Sequence, residues 1–195
     1  AFAGGPFDWL TPYTLLVAAG LVAGYALLGA AWLVFKTDGE LQKRARVWIR
    51  SLIVAVAVAL GVISLATLSL GGDIIARWGV SLDGSFVPAQ FAKFAIIPVI
   101  GALACLAVWH FAMKGPDYMA YLATVGVFLS GFAGLAVSIF PHIVPFSVTV
   151  HEAAARDNAL GLLLVGTAVM LPIILGYTAY VYWIFRGKAE PGAYH

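Results

Sequence analysis

One of the four histidines, His110, lies inside a long apolar run, between Trp109 and Phe111. An ionisable side chain in such a run is a functional hypothesis, as a proton relay, a hydrogen-bond donor to a quinone or a haem ligand. A haem would need a second axial ligand, and Met170 is the available candidate because no other apolar run carries a histidine. We expect no haem in this chain. His110 remains its one candidate for a quinone or proton contact, although a neutral histidine at interface depth is the simpler interpretation.

A second group of polar residues crowds the segment 141–158: His142, His151, Glu152 and Asp157. The two histidines are nine positions apart, unlike the close ligand pairs of compact zinc sites, so we interpret all four as solvated loop residues and expect no metal site. Thr149-x-x-Glu152 is a capping-box pattern, which predicts a helix starting near Val150 that could run on into the next apolar segment.

The remaining candidate residues and motifs do not indicate a catalytic site. The single Cys105 lies in an apolar run and is interpreted as a buried, inert thiol, and His195 as merely terminal. The patterns G-x-S-x-G, H-E-x-x-H, G-x-G-x-x-G and the P-loop are absent from the sequence, and no acidic residue lies within the apolar runs. We therefore expect no catalytic residue and no metal ligand, and a supporting role rather than a proton path.

The elements that hold these residues must be membrane helices. Of the 195 residues, 63% are hydrophobic and 10% charged, and the mean hydropathy is +0.98. A soluble domain carries about 25% charged residues, so this composition indicates an integral membrane protein. The net charge of +2 reflects topology and predicts no nucleic-acid partner.

Five apolar runs are long enough to cross a bilayer, which takes about 20 helical residues. We predict one all-α transmembrane domain over residues 1–195, with spans at about 14–35, 47–70, 91–113, 118–140 and 159–185. Small residues at helix-contact spacing occur in the first and fourth spans, at Gly20 and Gly24 and at Ser130 and Gly134.

The basic segment 36–50 is expected to be a loop that sets the orientation. It carries five of the eleven Lys and Arg residues against Asp38 and Glu40. The positive-inside rule places such a segment in the cytoplasm, together with the C-terminus, and the N-terminus on the periplasmic side. Arg50 is expected to extend from the second span to the headgroups.

Two sets of motifs resemble the cytochrome bd-type quinol oxidases. PFDWLTP (6–12), GYALLGAAWL (24–33) and KTDGELQ (36–42) resemble the start of the second half of subunit II. FPHIVP (140–145), VTVHEAA (148–154), LPIILGYTAY (171–180) and YWIFRGK (182–188) resemble its C-terminal end. The sequences of these motifs are most similar to those of the cyanide-insensitive branch of the family.

The resemblance implies a terminal oxidase of the bacterial cytoplasmic membrane that takes electrons from quinol and reduces dioxygen to water. It implies that haems b and d and the quinol site belong to the partner, subunit I, and that this chain is a scaffold of one four-helix bundle plus one additional helix. Further partners would be the N-terminal half of subunit II, a small single-span subunit, lipid and quinone. Two alternatives stay open: a transporter or channel, and a quinone-binding anchor in which His110, Trp109 and the aromatics near the C-terminus hold a headgroup.

Overall fold

The computed structural model describes residues 5–68, 79, 87–144 and 147–189. Four long helices come first, and a short antiparallel β-hairpin, one helical turn and a last long helix follow. In chain order these elements are α1 (Pro12–Lys36), α2 (Gly39–Leu68), α3 (Pro88–Lys114), α4 (Asp117–Ile139), β1 (His142–Val144), β2 (Val148–Thr149), α5 (Val150–Ala153) and α6 (Asp157–Ile184).

Five of the described helices are long and apolar enough to cross a membrane, which confirms the predicted all-α membrane class. Four of the five spans start and end within about three residues of the predicted bounds. His195 and most of the segment between α2 and α3 lie outside the described residues.

The second span differs, because the basic segment 36–50 is not a loop. Only Thr37 and Asp38 separate α1 from α2, and α2 begins at Gly39 with a φ of 70°. That left-handed conformation suits glycine and permits the tight reversal. The residues after it, Glu-Leu-Gln-Lys-Arg-Ala-Arg, are good helix formers, so the helix forms well before the apolar run begins.

The first four helices form a bundle in which neighbours touch around a ring. Gly20 of α1 lies against Ile63 of α2, where a Cβ on the glycine would come within 3.2 Å of the isoleucine side chain. Gly101 of α3 lies against Ser130 of α4 at 2.9 Å by the same measure. α1 and α4 are also in contact, since the aromatic ring centroids of Tyr25 and Phe128 are 5.6 Å apart.

The predicted small-residue contacts are therefore present, and they join helices of this chain. Gly24 admits the ring of Phe128, which would approach a Cβ there to 3.0 Å. Gly134 lies against Ile97, and Gly29 has nothing within 4 Å of its would-be Cβ. Small residues allow membrane helices to approach closely, and here they set the spacing of the bundle.

The most deeply buried side chains lie toward the end of the bundle where α1 and α3 finish. They include Leu27, Val34, Ile49, Val108 and Thr124. At the opposite end, the hydroxyl groups of Tyr13 and Thr67 lie 2.9 Å apart and join α1 to α2. The α1–α2 pair is thus anchored at both ends.

The chain after Ser138 forms a second compact unit, Ile139–Ala189. Its hairpin pairs His142 with Thr149 and Val144 with Val148. The helix predicted near Val150 does begin there but ends at Ala153, and α6 starts separately at Asp157 because the backbone of Ala154 is extended, with ψ at 133°. The segment expected to be a loop thus contains a β-hairpin and one helical turn.

Candidate functional site at the basic end of the bundle

Three polar side chains meet where α1 and α3 end and α2 and α4 begin. The Arg46 guanidinium contacts Asp117 Oδ1 at 2.5 Å, and Gln42 Nε2 donates to Asp117 Oδ2 at 3.0 Å. The Arg46 and Asp117 side chains are only 23% and 28% exposed. We call Gln42, Arg46 and Asp117 the polar cluster.

The cluster also supplies side-chain donors to backbone carbonyl groups at the helix ends. The last carbonyls of a helix have no partner within it, and they form the negative end of its dipole. Arg46 donates to the carbonyl oxygens of Phe111 at 3.2 Å and Ala112 at 3.0 Å, in the last turn of α3. Gln42 donates to those of Val34 and Thr37 at 3.0 Å each, at the end of α1.

Asp117 completes the arrangement from the opposite helix end. It is the first residue of α4, where a carboxylate is favoured by the positive end of the helix dipole. Both of its oxygens accept hydrogen bonds from the cluster. Charge-assisted bonds of this kind are stronger than neutral ones, so the cluster fixes the ends of all four helices relative to one another. The contacts of the polar cluster therefore position the four helices.

His110 lies one residue before the carbonyls that Arg46 binds. Its side chain is exposed on α3, and its ring meets that of Phe111 edge-on at 5.4 Å. Trp109 and Met113, its exposed neighbours, are 42% and 43% exposed. A histidine in this position could contact a ligand or a partner chain, and the polar cluster holds the helix turn that carries it.

The other residues weighed for haem or thiol chemistry are Met170 and Cys105. Met170 lies on α6 in the second unit and is 59% exposed. Cys105 is half-buried rather than fully buried and packs against the bundle core. Among the described residues, no three His, Cys, Asp or Glu side chains come together where they could hold a metal ion.

In the segment 141–158, Thr149 and Glu152 stabilise the start of α5. The Thr149 backbone N–H donates to Glu152 Oε2 at 2.8 Å, and the Glu152 N–H donates to Thr149 Oγ1 at 3.2 Å, so the predicted capping box is confirmed. The Thr149 hydroxyl also donates to Glu152 Oε2, at 2.9 Å. The two bonds that the carboxylate accepts, from the Thr149 backbone and side chain, lower the pKa of the exposed Glu152 carboxyl, with a smaller contribution from His142. Asp157 begins α6, and His151 lies in α5.

Sequence reasoning missed the polar cluster. Arg46 is one of the five cations of the basic segment 36–50, and Asp117 lies between the third and fourth predicted spans. Arg46 and Asp117 are 71 positions apart, so no local pattern links them. The signal in the sequence that could have indicated the cluster is the lone acidic residue Asp117, which follows Lys-Gly-Pro at the start of an apolar run.

Comparison with known proteins shows to which family the chain belongs. Residues 1–185 match the family model described as cytochrome bd terminal oxidase subunit II. The chain belongs to this family. Among curated members of the subunit II family, it is 23% identical over 219 residues to subunit 2 of the cytochrome bd-I ubiquinol oxidase of Escherichia coli K12, covering 96% of this chain and 55% of the relative. It is 27% identical over 203 residues to subunit 2 of the cytochrome bd ubiquinol oxidase of Bacillus subtilis 168, covering 96% of this chain and 54% of the relative. The chain thus spans about half the length of the curated subunit II relatives it matches.

Proposed function

We propose that this chain is a scaffold part of a cytochrome bd-type quinol:oxygen oxidoreductase, docked against a haem-bearing subunit I in the aerobic respiratory chain. The observation that carries the proposal is the match of residues 1–185 to the subunit II family, over five helices long enough to span a membrane. In the described bundle, the closest ion pair, Arg46 with Asp117, is occupied in joining helix ends. That use of charge suits a scaffold, and haems b and d are assigned to the partner.

The match covers about half of each relative, and we assign this chain to the C-terminal half of subunit II. Support comes from the order of the seven motifs, which run from PFDWLTP to YWIFRGK as in the second half of that subunit. The N-terminal half, on the same or a separate chain, and a small single-span subunit are proposed companions. The resemblance to the cyanide-insensitive branch leads us to propose that oxygen uptake by the complex resists cyanide.

Orientation follows from charge. The end of the bundle that holds the polar cluster carries six cations, namely Lys36, Lys43, Arg44, Arg46, Arg50 and Lys114. Three acids accompany them: Asp38, Glu40 and Asp117. A net positive end is retained on the cytoplasmic side, so we place the hairpin and the N-terminus in the periplasm of a bacterial inner membrane.

The proposal is tested by purifying a tagged form of this chain from native membranes in mild detergent. We expect a haem-bearing chain to co-purify, with the absorption bands of haems b and d and quinol-dependent oxygen uptake. Purification of the intact chain without a haem protein would contradict the oxidase assignment and favour a transporter or channel.

A second function, contact with a quinone headgroup, is favoured by one observation. His110 is exposed beside the exposed ring of Trp109, near the end of a membrane span, where an imidazole can donate a hydrogen bond to a carbonyl oxygen. Replacing His110 tests this function separately from the scaffold role.

A further inference from the structure

A small aromatic wall lies beside the polar cluster, between α1 and α4. The rings of Trp32 and Tyr121 meet edge-on at 5.1 Å, and those of Phe35 and Tyr121 stack at 6.0 Å with an interplanar angle of 14°. All three side chains are half-buried, so part of each ring remains accessible from outside the bundle. Aromatic rings at a helix end are favoured at the depth of the lipid headgroups.

Lys36 places a positive charge on this wall. Its Nζ lies 5.2 Å from the ring centroid of Phe35 and 5.5 Å from that of Trp32. Cation–π contacts of this length restrict the Lys36 side chain. Lys36 is half-buried, whereas Lys114, in the last turn of α3, is exposed. The ammonium group is therefore held at one place instead of sampling the headgroup layer.

The backbone beneath Lys36 is also fixed. Gln42 donates to the carbonyl oxygen of Thr37, and the Thr37 N–H donates to that of Leu33. The polar cluster thus determines where α1 ends and where the Lys36 side chain begins. A preorganised cation loses less entropy on binding an anion than a mobile one.

We propose that Lys36, Trp32, Phe35 and Tyr121 form a binding site for one acidic phospholipid of the surrounding leaflet. The Lys36 ammonium pairs with the lipid phosphate, and the exposed parts of the rings contact the glycerol and the first methylene groups. An anion suits this place because the same end of the bundle carries six cations against three acids. We expect a phospholipid rather than a free phosphate, because the apolar spans continue directly below the site and can contact an acyl chain.

The test uses the native complex with four variants: Lys36→Gln, Lys36→Arg, Lys114→Gln and Trp32→Leu. After partial delipidation, retained phosphatidylglycerol is counted by native mass spectrometry, and the complex is then titrated with phosphatidylglycerol in nanodiscs. Wild type, Lys36→Arg and Lys114→Gln are expected to retain one more lipid than Lys36→Gln and Trp32→Leu. The affinity for that lipid should fall about tenfold in Lys36→Gln, the change expected when one charge-assisted contact is lost. It should also fall in Trp32→Leu, because one of the two rings that hold the ammonium group is removed.

Three results would overturn the site. The first is equal lipid retention by wild type and Lys36→Gln, and the second is equal loss in Lys36→Gln and Lys114→Gln, which would indicate unspecific charge. The third is full competition by inorganic phosphate, which would identify a free anion as the ligand. If Lys36→Gln does not assemble, Trp32→Leu decides, because it keeps the charge and removes one ring.

Discussion

Arg46 and Asp117 form a half-buried ion pair at 2.5 Å between the second and fourth helices, although 71 positions separate them in the chain. Because Arg46 also binds two carbonyl oxygens of α3, one side chain connects three helices. The pair is the structural centre of the basic end of the bundle.

Replacing Arg46 should weaken the bundle markedly. Arg46→Ala removes one charged partner and leaves the two α3 carbonyls without their side-chain donor, so we expect a loss of about 2 kcal/mol in the free energy of unfolding. The measurement is the thermal stability of the purified complex.

The matched control is Arg44→Ala. Arg44 pairs with Glu40 at 3.6 Å, and both side chains are about 70% exposed. Such a surface pair contributes little, so the control should change stability by less than about 0.5 kcal/mol. Equal losses in the two variants would show that the polar cluster has no special role.

Close packing of α3 on α4 predicts a sharp steric effect at Gly101. A Cβ there would lie 2.9 Å from Ser130 Oγ, so Gly101→Ala should destabilise the bundle by about 1 kcal/mol. Adding Ser130→Ala removes that oxygen and should restore part of the stability, as a double-mutant cycle would show. Gly29→Ala, with nothing within 4 Å, should be neutral. Equal effects at Gly29 and Gly101 would contradict the packing.

His110→Ala separates the scaffold role from a quinone contact. Since we assign the haems to the partner, haem content per complex should remain unchanged in this variant. Unchanged quinol oxidase activity and bound quinone would exclude the quinone-contact function, whereas a higher KM for quinol at normal haem content would support it. Loss of a haem band would refute the scaffold account.

The hairpin should lose order at acidic pH. Hydrogen bonds from Thr149 lower the pKa of Glu152 below its ordinary 4.5 in the folded chain. A carboxyl of this kind contributes stability above its ordinary pKa, and that contribution disappears as the pH falls through the folded pKa. Protection of the Thr149 amide from hydrogen exchange, relative to its intrinsic rate, should therefore fall on acidification. Glu152→Gln should abolish the pH dependence, and a pH-dependent response that persists in this variant would rule out the assignment.

The orientation can be tested by labelling single cysteines in a Cys105→Ala background. Lys43 and Ser147 are both exposed, and they lie in α2 and in the hairpin. A cysteine at 147 should react with an impermeant thiol reagent in intact cells, and one at 43 only after the membrane is opened. The opposite pattern would reverse the proposed topology.

The sequence predicted the five long apolar helices because an uncharged run of about 20 residues has few other stable arrangements. It failed at 36–50, where charge was used to infer topology while local helix propensity decided the structure. The spacing of Gly20 and Gly24 predicted close approach but not the partners, Ile63 and Phe128, which depend on how the helices are arranged. Arg46 and Asp117 were missed for the same reason, since only the folded bundle brings them together.

The central claim is that this chain positions a haem-bearing partner and ligates no iron itself. The most direct measurement is a cryo-electron microscopy structure of the purified complex. We predict that every haem iron takes its axial ligands from the partner, with His110 and Met170 outside bonding distance. An iron bound by any side chain of this chain would contradict the account.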